Sequence, residues 1–340
     1  MSAVVESPSM AVEPQTLGSE AVPADFEQHR RELTAHCYRM LGSVFEADDA
    51  VQETMVRAWR AADRFEGRSS VRSWLYRIAT NACLDMLRSR QRRAVAMDMG
   101  PSGTADTFRG ETRPENTWIE PVPDGRVLQD DGDPAELAAA REAIRLAFVT
   151  ALQHLPPRQR AVLILREVLR WQATEVAELL DTSVASVNSA LQRARATLAA
   201  RNEDRDVTHP NAVDAEHQAL LARYVDAFER YDIPSLVTLL HDDAVMSMPP
   251  FNFWVSGPEH MADFFVGPGI ACKGSRLVPT EANGGTAFGS YKPDPDGGWT
   301  PWGIQVLELS GGRIIGHHNF LDTSLFAAFG LPAHLDADTV

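Results

Sequence analysis

Apolar positions recur at helical spacing through the first two thirds of the chain and alternate only in the last third. Within 48–60, Val51, Met55 and Ala58, continued by Ala62, form one stripe and leave Asp48, Gln52, Glu53 and Arg60 outward. From Ser70 to Arg92, Val71, Leu75, Ile78, Ala82 and Met86 form an apolar stripe. Arg77, Asn81, Arg88 and Arg92 form a second one, about 100° round the helix, with Trp74 inside it. Ile144, Phe148, Leu152 and Leu155 carry a further stripe to Pro156-Pro157, after which helices are expected over 158–169 and 174–180. Asp181-Thr182-Ser183 then makes a turn able to cap a helix whose apolar positions are Val184, Val187, Leu191, Ala194 and Leu198. Two short helices joined by a tight polar turn, the second polar outside, describe a helix-turn-helix. Its outer face presents Ser186, Ser189, Gln192 and Arg193, with Asn188 at the border.

Beyond residue 211 the pattern is α+β. Helices are expected over 215–230, 233–240 and 258–266, and strands over 244–248, 285–291, 302–309 and 313–320. Asp296-Gly297-Gly298 and Ser310-Gly311-Gly312 supply hairpin turns.

Composition bounds the function class. The 340 residues are 44% apolar and 23% charged, which suits a folded protein of two or three domains. No apolar run approaches the roughly 20 residues that cross a bilayer, and no basic patch precedes an apolar stretch at the N-terminus, so neither a membrane span nor a secretory signal is expected. Cys37, Cys83 and Cys272 are too few and too scattered for a disulfide scaffold or a paired zinc motif, and fit a reducing cytoplasm.

A net charge of −15 argues against nucleic acid only while it is treated as uniform. Residues 25–95 carry 13 Arg against 10 acids, a net +3, and 136–201 carry 9 Arg against 6 acids, again +3. The tail from 202 holds −12, and 64–93 alone hold +6. Residues 1–24 are Ser/Pro/Glu-rich and expected to be disordered; 96–135, with a net −6, read as a linker, oddly apolar at Trp118 to Pro123.

The second stripe of 70–92 suits a single-stranded nucleic acid: Arg neutralises phosphate, Trp offers a stacking plane, and Asn pairs with a base edge. A helix packed on two sides with solvated Arg fits the same pattern, since Tyr76, Leu84 and Leu87 lie off the first stripe. Asp48-Asp49-Ala50-Val51-Gln52-Glu53-Thr54-Met55-Val56-Arg57-Ala58-Trp59, followed by Ser73-Trp74-Leu75-Tyr76-Arg77-Ile78-Ala79-Thr80-Asn81, resembles region 2 of sigma-70-family initiation factors, most closely the extracytoplasmic-function group. Leu155-Pro156-Pro157-Arg158-Gln159-Arg160, Ala177-Glu178-Leu179-Leu180 and Ser186 to Arg195 resemble sigma region 4. The resemblance implies that Asp48, Asp49, Gln52, Glu53, Val56 and Trp59 dock on the β′ clamp helices of core RNA polymerase, with a further contact at the β flap. It implies that Arg72, Trp74, Arg77, Asn81, Arg88 and Arg92 open the minus-ten element, Asn81 matching the base-pocket asparagine. Ser183, Ser186, Asn188, Ser189, Gln192 and Arg193 are implied to read the minus-thirty-five element. Asn188, Ala190 and Gln192 stand where Lys, Arg and His are common, so weaker and less salt-sensitive binding is expected there. A Trp-x-x-Pro stretch such as Trp118 to Pro121 occurs in sigma linkers followed by an extra C-terminal domain.

The layout of 211–330 is similar to the SnoaL-like, ketosteroid-isomerase-like cone fold. Trp254, Phe264, Trp302, His317 and Phe320 are candidates for lining its pocket or simply for filling its core. His317-His318 is not a metal pair, because successive strand residues face opposite ways, and no catalytic pairing emerges from spacing.

The expectation is therefore a multidomain protein: two all-α sigma domains (25–95, region 2; 136–201, region 4 with its helix-turn-helix) joined by an acidic linker, then an α+β SnoaL-like domain over 211–330. The expected function is that of an alternative sigma factor in the cytoplasm, which binds core polymerase and promoter DNA, is not an enzyme, and uses no cofactor or metal. The C-terminal domain is expected to modulate activity through intramolecular contact with the sigma regions or linker. The alternatives are a ligand-responsive helix-turn-helix regulator with a SnoaL-like sensor, and an enzyme whose cone acts on a small apolar substrate.

Overall fold

A computed structural model describes residues 24–65, 69–88, 92–129, 131–202 and 215–336. Of the tail expected over 1–24 all but the last residue lies outside the described residues, as do residues 203–214.

The first helical unit contains α1 (Ala24–Glu27), α2 (Arg30–Leu41), α3 (Val44–Ala61) and α4 (Val71–Leu87). Gly42 ends α2 in the left-handed region, at φ +73°, and its N–H bonds the Tyr38 carbonyl. Ser43 then opens α3 by accepting the Glu46 N–H, so this helix begins four residues before the expected Asp48. Leu33, Cys37, Tyr38, Leu41, Val51, Met55, Leu75, Tyr76 and Ala79 close the core between α2, α3 and α4. Helix α4 is capped by Ser70 and ends at Leu87, so Arg92 sits beyond the helix rather than on its stripe.

The linker adopts a fixed path. Ala94 pairs in parallel with Trp118, residues 100–113 run along the C-terminal domain, and Trp118 to Pro123 are buried or nearly so. α5 (Asp124–Val127) packs on α2. α6 (Pro134–Glu142), α7 (Leu146–Gln153) and α8 (Pro157–Leu163) follow, the last extended by a π-helical turn over Ile164–Val168. α9 (Ala173–Leu179) and α10 (Val184–Asn202) form the expected helix-turn-helix, with Ser183 accepting the Ser186 N–H at the start of α10. Val176, Leu179, Val187, Leu191 and Ala194 bury its inner side.

The C-terminal domain contains α11 (Ala215–Glu229), α12 (Ile233–Val237), α13 (Pro258–Val266), α14 (Leu325–Ala328) and strands β1 (Leu240–Ser247), β2 (Trp254–Ser256), β3 (Arg276–Ala282), β4 (Gly285–Pro293), β5 (Trp299–Ser310) and β6 (Arg313–Phe320). The sheet order is β2-β1-β6-β5-β4-β3; β1 and β6 run parallel and the remaining pairs antiparallel. One face carries Tyr224, Phe228, Phe264, Phe265 and Phe288 under the helices. Ala287, Tyr291, Ile304, Val306 and Phe320 belong instead to a cluster continuous with the cores of both sigma-like helical units. The sheet is thus covered twice, the second time by α14 of its own domain together with the sigma-like units.

Candidate polymerase and promoter surfaces

Helix α3 turns a stripe away from the core. Phe45, Asp49, Gln52, Val56 and Trp59 are spaced by four, three, four and three residues, so they share one side of the helix. Phe45 and Trp59 are 36% and 43% exposed, unusual for large apolar residues on a capped, well-packed helix. Three apolar side chains among Asp and Gln suit another helix laid alongside. Phe45 is absent from the sequence-based set. Its signal is the same helical spacing carried one turn upstream of Asp48, past the expected helix start. Asp48 itself lies beside this stripe, where Arg126 of α5 bonds its carboxylate, and Glu53 is held by Arg57 at 2.6 Å.

The second stripe is on α4. Trp74 lies half-buried between Phe65, centroid to centroid 4.9 Å, and Phe26, 5.9 Å. Arg72 bonds Glu32 at 2.7 Å and stacks on Tyr76 at 5.0 Å. Arg77 donates to the Glu178 carbonyl on α9 at 3.3 Å, and Tyr76 meets Trp171 edge to face at 5.3 Å. Asn81 and Arg88 are exposed, the latter within 3.3 Å of Asp85. Arg92 contacts His154 and lies 3.9 Å from Asp98. The helix-turn-helix unit therefore rests against the face that carries the cationic and aromatic residues.

The third surface is the outer side of α10. Ser183, Ser186, Asn188, Ser189, Gln192 and Arg193 are all exposed and lie together, and the side-chain bonds found there are local: Ser183 to Ser186 and Arg193 to Ser189.

What holds the two helical units together is buried and polar. Arg160 of α8 is 2% exposed and gives its guanidinium N–H groups to the carbonyls of Met40, Gln153 and Leu155 and to the Gln153 side chain. Burial lowers its pKa to about 10, leaving it charged at neutral pH, at the negative end of α2. Arg39 donates to the Ala143 carbonyl at the end of α6 and Gln153 of α7 donates to the Arg39 carbonyl, so α2 is tied to both helices.

The C-terminal domain reaches the same junction through the turn between β3 and β4. Asn283 and Gly284 both have positive φ, +56° and +74°, the geometry an Asn-Gly hairpin turn favours. Asn283 exchanges backbone bonds with nothing in its own hairpin at that point. Its N–H goes to the Val122 carbonyl, and its side-chain oxygen accepts the Val122 N–H. Its Nδ2 donates at 2.7 Å to the Tyr38 hydroxyl of α2 and to the Ile144 carbonyl just before α7. Gly284 N–H donates to Asp124 at 2.8 Å. One asparagine thus touches region 2, the linker and the start of region 4. The Asn-Gly pair was itself a turn signal, but what it clasps lies too far off in sequence to be inferred.

The five candidate pocket residues do not come together. Phe264 and His317 lie in the helix-covered core and Phe320 in the opposite cluster. Trp254 is half-exposed and donates to the Gly100 carbonyl, and Trp302 is half-exposed under the Lys292 ammonium. His317 and His318 face opposite sides, towards Tyr224 and Ser247 respectively. The network around His317 closes on itself. Tyr224 donates to Gln305, which assigns the Tyr224 oxygen as acceptor of the His317 Nε2–H, and His317 Nδ1 accepts from Asn319. Burial drops the His317 pKa to about 3, so the ring is neutral.

A helical unit with a polymerase-type docking stripe and a cationic-aromatic stripe, tied to a helix-turn-helix, defines an initiation factor of the sigma-70 class. Residues 26–93 match Sigma-70 region 2, 145–198 match Sigma-70 region 4, and 221–317 match the SnoaL-like domain. The chain is 44% identical over 321 residues to the ECF RNA polymerase sigma factor SigG of Mycobacterium tuberculosis, covering 92% of this chain and 84% of that one. It is 30% identical over 225 residues to SigJ of the same organism, covering 66% of this chain and 64% of that one. The crystal structure of SigJ superposes with a TM-score of 0.57 over 91% of this chain and 99% of that one at 24% identity, which shows a shared fold. The chain belongs to the extracytoplasmic-function RNA polymerase sigma factors, with a fused SnoaL-like domain. It is accordingly an alternative sigma factor, which binds core RNA polymerase and promoter DNA to begin transcription. No described helix is long and apolar enough to cross a membrane.

Proposed function

We propose that the free cytoplasmic protein is a closed sigma factor, kept closed by its C-terminal domain and opened by core polymerase. In this reading the α3 stripe, Phe45 included, docks on the β′ clamp helices, α4 captures minus-ten bases with Asn81 at the base pocket, α10 reads the minus-thirty-five element, and the region-4 unit also meets the β flap. Elements named for positions roughly 25 base pairs apart are separated by about 85 Å of B-form DNA at 3.4 Å per step. Arg77 lies 3.3 Å from the α9 backbone, so α4 and α10 in this arrangement do not span such a promoter. The C-terminal domain acts through contact rather than chemistry, in keeping with the saturated hydrogen bonds of its one buried histidine–tyrosine network.

The carrying observation is Asn283, whose three side-chain bonds join region 2, linker and region 4 at once. Fluorophores at Asp85 on α4 and Ala196 on α10, both exposed and outside the candidate contact sets, test the reading. They should report a short separation in the free protein and one of about 80 Å in the polymerase–promoter complex, by energy transfer. An unchanged separation sinks it.

A further inference from the structure

The linker does more than cross the C-terminal domain. Strand β2 is an edge of the sheet, and the linker meets it and the preceding loop at two places. Gly103 N–H bonds the Trp254 carbonyl at 2.8 Å, and Trp254 Nε1–H returns a bond to the Gly100 carbonyl at 2.9 Å. Further on, Thr112 bridges Phe251 antiparallel, with Arg113 N–H to the Pro250 carbonyl and Asn252 N–H to the Glu111 carbonyl, each 2.9 Å. Between these anchors a short helical turn, Ala105–Thr107, presents Phe108. Its ring sits edge to face on three others: Phe253 at 5.0 Å, Phe251 at 5.2 Å and Phe264 at 5.5 Å. Gly103 is required for this approach, because a Cβ there would stand 2.6 Å from the Phe253 ring.

This is a built aromatic slot with one ring in it, and that ring is supplied by a segment with no core of its own. Phe251, Phe253 and Phe108 remain half-buried even so. Lifting the strap frees backbone groups that water can satisfy, but leaves three phenyl faces open, which water does not satisfy.

We propose that the Phe251–Phe253–Phe264 slot is a binding site for a small planar aromatic molecule, held shut by Phe108 as an internal surrogate ligand. An entering ring takes the place of Phe108 and releases the strap over 100–113. The effect of that release on transcription rests on the closed-state reading above; the binding itself does not.

Indole serves as the probe, with the full-length chain. Because the slot is available only while the strap is lifted, the apparent affinity of the wild type is reduced by that fraction. Phe108→Ala should therefore bind indole about tenfold more tightly or better by calorimetry. Gly103→Ala, whose Cβ meets the Phe253 ring only while the strap is down, should shift affinity the same way. Arg109 is exposed on the strap and followed by Gly110, so trypsin reads the release there. Saturating indole should raise cleavage there about threefold or more in the wild type, as expected when a bound state is also an open one. Failure of both variants to bind indole overturns the site. Binding by the variants without any indole-dependent cleavage in the wild type overturns the surrogate-ligand idea. Indole-dependent strap release with no change in transcription would count against the closed-state reading alone.

Discussion

The helices α4 and α10 are both assigned to DNA, yet the protein treats them in opposite ways. On α4 and its continuation Asn81 and Arg88 are exposed, but Arg72 holds Glu32, Trp74 is wedged between Phe26 and Phe65, Arg77 is bonded to α9, and Arg92 contacts His154. On α10 all six candidate residues are exposed, with only neighbouring side chains for company. A duplex is a rigid ligand that a preformed helix face meets directly, and none of the described residues covers that face. Captured single-stranded bases need aromatic and cationic groups that also pack well on protein, so the same residues are stabilised by occupation until DNA arrives. The closed state should therefore suppress strand capture and leave duplex recognition nearly untouched.

Asn283→Ala gives the largest test of that contrast. It removes three buried side-chain bonds and puts a Cβ residue without a local hydrogen-bond partner at φ +56°. The closed state should lose about 4 kcal/mol. Binding of a single-stranded minus-ten oligonucleotide should strengthen about tenfold or more, by anisotropy, once opening is no longer limiting. Affinity for a minus-thirty-five duplex should stay within about twofold, and an equal gain for both oligonucleotides would dissolve the comparison.

A smaller effect comes from pH. Asp124 accepts the Gly284 N–H in the same clasp, but burial pushes its pKa up from 3.8 to about 6; the Gly284 bond and Arg141 pull the other way, and Glu281 adds to the rise. A raised pKa means that the closed state prefers the protonated acid. The contribution is fully present below about pH 3.8 and is lost as pH rises through about 6, at most about 3 kcal/mol over that window. Single-strand affinity should fall as the solution is taken from pH 7 to pH 5. Asp124→Asn should flatten that slope while the duplex profile remains as before, and a wild-type slope that survives the substitution assigns it elsewhere.

Much of this arrangement is local in origin and therefore visible in the chain. Pro258–Val266 and Arg313–Phe320 begin and end where caps, Pro and Gly-Gly place them. Strand β3 escapes notice because Pro279 and Glu281 break its pattern, which is tolerable only because β3 is the other edge of the sheet. Strand β2 is three residues long and has no period to detect. The exposed residues of α10 follow from helical spacing alone, since the side-chain bonds found there among the described residues are local. The covering of α4 does not, since Arg77 and Glu178 are 101 residues apart and Asn283 and Tyr38 are 245 apart. Phe320 fails as a cone-lining candidate for a related reason: alternation assigns it a face, but that face has a second cover, made in part by the sigma-like units.

The smallest predicted change acts on α10 by itself. Asn188 is exposed on the side of α10 proposed to face the duplex and lies where the family often has a base. Asn188→Arg adds one cation at the groove rim without touching any buried contact. If it reaches one phosphate, the slope of log affinity against log salt for the minus-thirty-five duplex should steepen by about 0.9. Because α10 is already open in the closed protein, the gain should be the same with and without Asn283→Ala, whose bonds go to Val122, Tyr38 and Ile144 and not to α10. Single-strand binding should not respond. A gain that appears only in the Asn283→Ala background would mean that α10 is covered in solution after all, and that the difference between the two helices is one of degree.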